Sequence, residues 1–557
     1  MVGATADAGA VRAPGGVPAT RQFAVVASAT AVVVLLQAVL LTQKGINWDE
    51  FFHLTEVFRF REGTLPHPLQ TFWVRPLSWV VGSEGNSVDH ILTIRAIMLA
   101  ALLATAAGIY AIARRFAAPA AALLCALAYL TAGYVFTQGF AYRADPLAAA
   151  CLVWVMWIAG AERLSWSKIA LGAGLTALAG LFTIKSAFWV LPIGGYALYA
   201  LWALPRDRQI ARIARLAVLA SGGAALFALA LALHGAGLPS DTAEASAKGL
   251  GSAGSVVFSE GLFPQGRYLI AQIGMGAPFA LLAALAIPAW RRGDATPRSL
   301  VLLAGLYGML LSLAVYRNAY PYFYVFLLPP VAVALAPLMQ SVVARKAAPI
   351  YALLFVANAA ILFAMDPAEP LPNQRIVQEG VREVLPEPVT YIDFSGHVSD
   401  YPRAVDFMTS GWGLKKYRER GVAEISEKAR REPIPLLIDN HWVLTAAITG
   451  QSAPEELLPE DARFIRENYI PHWGPMFVAG KRIDPGQTAI RIEIPGTYTV
   501  EDAELAMDGT TLDQGGTITL KRGEYDVATT AAATLRWGDR LPRPGLAPPV
   551  GMMMSNY

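Results

Sequence analysis

The sequence predicts a polytopic α-helical membrane protein of about eleven spans, carrying a folded C-terminal α/β domain and a small β-sandwich module on its outer side. Three observations lead there. The 557-residue chain is 55% hydrophobic and only 16% charged, where a soluble protein of that size carries about 25%. The deficit is uneven, because charges nearly vanish from long stretches of residues 22–365 and return to ordinary density from Asp366 onward. Finally, the apolar stretches are separated by short loops in which Arg and Lys cluster. The net charge of +3 is too small to argue for nucleic acid, and no basic stripe with interleaved aromatics is present. Cys125 and Cys151 both fall inside apolar runs, which excludes a disulfide framework or a Cys-rich metal site.

The elements follow in chain order. Residues 1–21 are rich in Gly, Ala and Pro and are expected as a disordered cytoplasmic N-terminus. The run Gln22–Thr42 is long enough to cross about 30 Å of hydrocarbon and longer than a signal-peptide core, so it reads as an uncleaved first span. Further spans are expected at about 91–113, 116–134, 146–161, 168–184, 186–204, 214–235, 268–290, 299–316, 322–343 and 347–365, with 168–204 readable as one broken hairpin. Helices are the only open-chain way to cross, since lipid offers the backbone no partners. With the N-terminus inside, Arg114 and Arg115, Arg163 and Lys168, Arg206 to Arg215, Arg291 to Arg298, and Arg345 and Lys346 all face the cytoplasm, as the positive-inside rule requires. Loops 43–90 and 236–267 and the tail after Asp366 then lie outside.

Lone charges gather at that outer rim. Asn47-Trp48-Asp49-Glu50-Phe51-Phe52-His53 follows span one, and Tyr142-Arg143-Ala144-Asp145-Pro146 precedes span four. Lys185 ends span five, and Arg317 lies in Tyr316-Arg317-Asn318-Ala319-Tyr320-Pro321-Tyr322 before span ten. Asp and Glu are costly to hold near lipid unless they are used. A ring of such groups suits an anionic lipid headgroup, with cations on the phosphate and carboxylates toward a sugar or an acceptor hydroxyl.

These residues resemble the GT-C glycosyltransferases, which use polyprenyl-phosphate sugars. The likeness is to the bacterial protein-O-mannosyltransferase-like branch, which includes the aminoarabinose transferases and the rhizobial lipopolysaccharide galacturonosyltransferases. It runs over about residues 20–365 through the Asp49-Glu50 pair, Arg95, Arg114-Arg115-Phe116, Arg143-Ala144-Asp145, Gly180-Leu181-Phe182-Thr183-Ile184-Lys185, and Tyr320-Pro321-Tyr322 leading into Leu327-Leu328-Pro329-Pro330. The resemblance implies that Asp49 is the catalytic base on the acceptor hydroxyl, with Glu50 and His53 supporting it or helping to place a substrate. It makes Asp145, beside Arg143, a second catalytic acidic element, and Lys185 and Arg317 ligands of the lipid phosphate, with Tyr320 and Tyr322 lining the substrate site. Ser186 follows Lys185 where the family commonly has glycine. The implied partners are a polyprenyl-phosphate sugar, an envelope lipid or glycan acceptor, and membrane lipids. The implied place is a bacterial inner membrane, with the C-terminal domain periplasmic. No metal-ligand spacing occurs, and the sequence leaves open whether a divalent cation assists.

Plainer readings compete. Asp49 and Glu50 suit the start of a helix, where acidic residues complement the dipole. Arg143 with Asp145 suits a rim salt bridge, Lys185 and Arg317 suit snorkelling anchors, and Arg95 suits structural pairing. Residues 65–81, with His67, Trp73, Arg75 and Trp79, read as a stretch lying flat on the membrane. Gly249–Gly254 reads as a mobile flap rather than a phosphate cradle. A transporter or lipid flippase is the leading rival, but the span interiors are almost charge-free and the halves show no repeat. A noncatalytic scaffold is the other.

In the tail, residues 366–484 read as α/β, with helices at Asn373–Val384, Ala404–Arg420 and Val422–Arg431 and strands at Val389–Phe394 and Pro435–Asp439. Ser395-Gly396-His397 and Asp439-Asn440-His441-Trp442 follow the two strands, where parallel sheets often place binding residues. Residues 485–540 alternate at Ala489–Ile494, Thr517–Leu520 and Tyr525–Ala528, with Asp508-Gly509 as a hairpin turn, and read as a β-sandwich. Residues 541–557 are expected to be loose.

Overall fold

A computed structural model of the protein describes residues 19–239, 261–293, 296–409, 411–452 and 456–554. The expected disordered N-terminus and the expected flap at Gly249–Gly254 therefore lie outside the described residues, the former apart from its last three positions. The chain forms two compact units: one of Met1–Leu40, Ile97–Gly235 and Ala243–Met365, the other of Leu41–Ala96, Ala236–Thr242 and Asp366–Tyr557.

The first unit is helical. Among the described residues, five helices are long and apolar enough to cross a membrane, beginning with Thr20–Gln43 and Ser87–Ala113. Gly266–Met275 and Ala277–Arg292, bent by 93°, make a sixth if counted as one span. Pro119–Leu130, Ala144–Ala159, Trp166–Phe182 and Ala348–Ala364 are apolar but only 12, 16, 17 and 17 residues long. At about 1.5 Å per residue these reach roughly 18–26 Å, short of about 30 Å of hydrocarbon. Among the described residues, five or six helices thus meet the length and apolarity needed for a span, against an expectation of about eleven spans.

The breaks have chemical causes. The expected span 322–343 is three short helices, Phe323–Leu327, Pro329–Ala334 and Ala336–Ala344, because Pro329, Pro330 and Pro337 lack the N–H that continues a helix. Pro329 leaves the Val325 carbonyl without its helical donor, and the Tyr129 hydroxyl donates to it at 2.8 Å. At the 93° bend, Gln272 accepts from the Tyr134 N–H at 2.8 Å and donates to the Ala132 carbonyl at 3.1 Å. One side chain thereby satisfies two polar backbone groups of the break between helices Pro119–Leu130 and Tyr134–Gln138.

The second unit holds the helix Trp48–Glu62 and the tail. Its strands are β1 (Tyr391–Ile392), β2 (Leu436–Ile438), β3 (Tyr469–Trp473), β4 (Met476–Ile483), β5 (Ala489–Ile492), β6 (Gly496–Glu501), β7 (Leu505–Met507), β8 (Thr510–Leu512), β9 (Thr517–Leu520), β10 (Gly523–Ala528) and β11 (Ala533–Trp537). A seven-stranded sheet runs β1-β2-β4-β11-β6-β9, with β3 also on β4, and a four-stranded sheet runs β5-β10-β7-β8. β1 and β2 are parallel, and the other pairings are antiparallel. The boundary expected at residue 484 is crossed by the large sheet, since β4 pairs with β11 from Ile483–Ala533 to Gly480–Arg536. Ile483, Val500 and Leu535 of that sheet share a core with Ile492, Met507 and Val527 of the small one. Asp508 (φ 45°) and Gly509 (φ 78°) turn β7 into β8 with both φ positive, the hairpin geometry that favours Asp-Gly. The helix expected over Ala404–Arg420 is shorter, Gly411–Arg420. Residues 404–408 are instead drawn into the core around Phe394 and Tyr417.

Candidate active site

In the second unit, Asn47 caps helix Trp48–Glu62, its side chain accepting from the Asp49 N–H at 3.0 Å while Glu50 accepts from the Asn47 N–H at 3.1 Å. Asp49 and Glu50 sit in the first turn, Arg59 and Arg61 in the last, and Gly63 in the left-handed conformation ends the helix. The helix-start reading of the acidic pair is therefore realised, and it separates the two residues. Asp49 is partly exposed, whereas Glu50 is 1% exposed.

Glu50 takes Arg95 in a two-pronged pair, at 2.8 Å from Nε and 2.6 Å from Nη2. The three remaining Arg95 N–H groups donate to the carbonyls of Leu41, Lys44 and Gly45 at 3.2, 2.8 and 3.0 Å. Arg95 thus clamps the end of the first helix to the start of Trp48–Glu62. Both Glu50 oxygens are engaged by the fold, one by Arg95 alone and one by Arg95 and the Asn47 N–H. Both partners are paired and hydrogen-bonded, the condition under which charge is tolerated in an interior.

His53 lies 3.4 Å from Glu56, and its ring meets Trp73 edge-on at 4.8 Å. His67 stands 3.9 Å from the other Glu56 oxygen. Glu56 was missed by sequence reasoning; its place three residues after His53 on a helix is the signal that would have found it. In residues 65–81, Trp73 is buried and Trp79 exposed. Among the described residues, no group of three or more His, Cys, Asp or Glu side chains is arranged to hold a metal ion.

The tail residues singled out from the sequence support this helix. Trp48 packs edge-on against Phe394 at 6.0 Å, and Phe394 stacks on His441 at 3.7 Å. His397 lies 4.8 Å from the Phe51 ring and hydrogen-bonds the Gln374 carbonyl at 3.1 Å. Burial lowers the pKa of His397, and pushes that of His441 down to about 4. Asn440 donates to Asp393 at 3.1 Å and accepts from the Phe394 N–H at 2.9 Å. Through these contacts the first turn, with Asp49, is set beside the carboxyl ends of the parallel strands β1 and β2, where open α/β sheets place their ligands.

In the first unit, chain breaks bring distant charges together. Arg143, in extended conformation, caps Ala144–Ala159, which puts Asp145 in its first turn. Thr183 is extended and accepts from the Lys185 N–H at 3.4 Å, starting the 3₁₀ turn Ile184–Trp189. Lys185 and Asp145 form an ion pair, with Asp145 2% exposed. Arg143 lies over the Tyr322 ring at 3.4 Å, and the Lys185 ammonium stands 5.3 Å from the same ring. Tyr320 is 6.0 Å from Tyr322, and the Arg317 carbonyl accepts from Gln265 at 3.1 Å. Four predicted residues, Arg143, Asp145, Lys185 and Tyr322, therefore share one site, with Tyr320 beside it. The Asp145 carboxylate, expected as the second acidic element, holds the Lys185 ammonium in this cluster.

No protein-family model and no curated protein matches the sequence. Solved structures do. The aminoarabinose transferase ArnT from Cupriavidus metallidurans, bound to undecaprenyl phosphate, is similar with a TM-score of 0.53 at 15% identity, over 76% of this chain and 94% of that one. Its apo state gives 0.51 at 14% identity over the same shares. AglB, the archaeal oligosaccharyltransferase from Archaeoglobus fulgidus, in complex with an inhibitory peptide and a dolichol-phosphate, gives 0.49 at 10% identity, over 95% and 97%. The chain has the GT-C glycosyltransferase fold. In the GT-C fold seen here, a polytopic helical membrane unit is accompanied by a C-terminal sheet domain. The cluster around Lys185 belongs to the former, and the helix bearing Asp49 to the unit that contains the latter.

Proposed function

We propose that this chain is a membrane glycosyltransferase that moves a sugar from a polyprenyl-phosphate donor to a hydroxyl of a cell-envelope acceptor (lipid A or lipopolysaccharide, a glycan or a protein) on the periplasmic side of a bacterial inner membrane. The observation that carries this is the Arg143–Asp145–Lys185–Tyr322 cluster. Two cations beside an aromatic wall, with a carboxylate that holds the lysine in place, suit a phosphate. A protein of this fold, ArnT, is bound to undecaprenyl phosphate, which supports the same donor class here.

In the proposed reaction the acceptor oxygen forms a bond to the anomeric carbon, and the bond from that carbon to the phosphate oxygen breaks. The leaving phosphate keeps the electron pair and needs no proton, since Lys185, Arg143 and Arg317 stabilise its charge. The acceptor hydroxyl gives its proton to Asp49, and a single displacement inverts the sugar. Glu50 and Asp145 act as positioning residues, and His53, Tyr320 and Tyr322 shape the substrate surface.

The test incubates purified protein with polyprenyl-phosphate sugars and envelope lipids. Asp49→Asn is expected to retain donor binding while transfer falls roughly 10²–10⁴-fold. Wild-type turnover by that variant would overturn the base assignment. Donor crossing a vesicle bilayer without sugar transfer would put a flippase in place of the enzyme.

A further inference from the structure

The helix Ala144–Ala159 carries Asp145 at its start; its other end, about 20 Å away at 1.5 Å per residue, meets a different set of charges. Arg115 donates to the Trp157 carbonyl and to the Tyr196 hydroxyl, both at 2.9 Å. Arg212 donates to the Ala159 carbonyl at 2.5 Å, and Arg215 to the Leu164 carbonyl at 3.1 Å. Three guanidinium groups thus converge on the C-terminus of this helix and the loop that follows it, and Arg212 feels the charges of both Arg115 and Arg215. Among the described residues no carboxylate pairs with any of the three.

The carbonyls explain part of this arrangement, because cations suit the negative end of a helix dipole. They do not explain Arg212, which is 5% exposed and whose Nε has no hydrogen-bond partner among the described residues. A buried donor without a partner is costly, and three like charges without a counterion more so. Arg115 and Arg215 flank it with exposed side chains, Arg115 and Lys168 lie over the Trp157 ring at 5.2 and 5.4 Å, and Trp166 and Trp202 stand exposed nearby in sequence.

We infer that Arg115, Arg212 and Arg215 form a binding site for the phosphate of an anionic phospholipid, separate from the Lys185 site. The aromatics choose the source: exposed Trp at the ends of apolar helices marks the depth of lipid headgroups, and basic pockets between membrane helices take acidic lipid headgroups. The site does not depend on the proposed glycosyl transfer.

The test uses the full-length protein in phosphatidylcholine nanodiscs, with or without added phosphatidylglycerol or cardiolipin, and native mass spectrometry of the lipids retained. Wild type is expected to retain anionic lipid at least tenfold over phosphatidylcholine. Arg115→Gln/Arg215→Gln, which spares the buried Arg212, is expected to lose most of that preference while eluting as a single folded species. Arg115→Lys/Arg215→Lys should keep it in part, and Arg431→Gln, in the tail, in full. Equal retention by the glutamine variant would overturn the site. Thermal stabilisation by inorganic phosphate as large as that by phosphatidylglycerol would overturn the lipid as its ligand.

Discussion

Replacing Arg95 by Met tests whether Glu50 serves the fold or the chemistry. The substitution removes five hydrogen bonds, two to a carboxylate and three to the carbonyls of Leu41, Lys44 and Gly45. Taken singly, charge-assisted bonds contribute about 1.5–3 kcal/mol and neutral ones about 0.5–1.5 kcal/mol, but these share one desolvated guanidinium and do not add. Breaking a buried pair by removing one partner typically costs about 3–5 kcal/mol, mostly because the other charge is left buried. For a unit of this size that lowers the melting temperature by on the order of 10 °C. Arg95→Met/Glu50→Gln removes the stranded charge and should recover more than half of the loss. Thermal unfolding in detergent, followed by tryptophan fluorescence, reads both. If Arg95→Met and Glu50→Gln each melt within about 1 °C of wild type while sugar transfer is abolished, the clamp is wrong and Glu50 belongs to the chemistry.

Further outcomes are expected. Lys185→Met should weaken polyprenyl-phosphate binding at least tenfold and lower the melting temperature, because Asp145 is left buried; adding Asp145→Asn should restore stability but not affinity, as lipid binding and unfolding measured on the same samples will show. Helices Val190–Trp202 and Pro297–Gly308 approach at glycines, where a Cβ on Gly305 would stand 2.8 Å from the Leu191 carbonyl and 2.9 Å from the Gly195 Cα. Gly305→Leu should therefore destabilise by several kcal/mol, whereas Gly174→Leu, with nothing within 4 Å, should be neutral in the same melts. His472 hydrogen-bonds the Pro542 carbonyl at 2.9 Å and is held down to about 4, first by burial and then by Arg543 and Arg536. Its unfolded form binds a proton more readily, so stability is full above about 6.5 and is lost as pH falls toward 4, by on the order of 3 kcal/mol. His472→Gln should flatten that part of a stability-against-pH curve.

Much of the site was legible because ionisable residues in an apolar sequence are conspicuous. Arg143, Asp145, Lys185 and Tyr322 were each selected as exceptions to their surroundings, and they meet. Glu56 escaped notice because nothing in a polar helix distinguishes one glutamate from another until His53 and His67 are seen on either side of it. The tail strands that alternate, such as β9, were found in place, while β3 and β4 were not. Met476–Ile483 is buried through Gly480 with Lys481 and Arg482 at its end, so no period-two pattern marks it.

The sequence by itself determined that this is a membrane chain with a folded tail, and which side chains are chemically out of place, because burying charge or backbone in hydrocarbon is expensive wherever it happens. Only the tertiary structure decided what those side chains do. Asp49 and Glu50 are adjacent in the chain, yet a helix turns successive residues by about 100°, toward different surroundings. One was thereby delivered to the edge of a parallel sheet and the other into the grip of an arginine forty-five positions away.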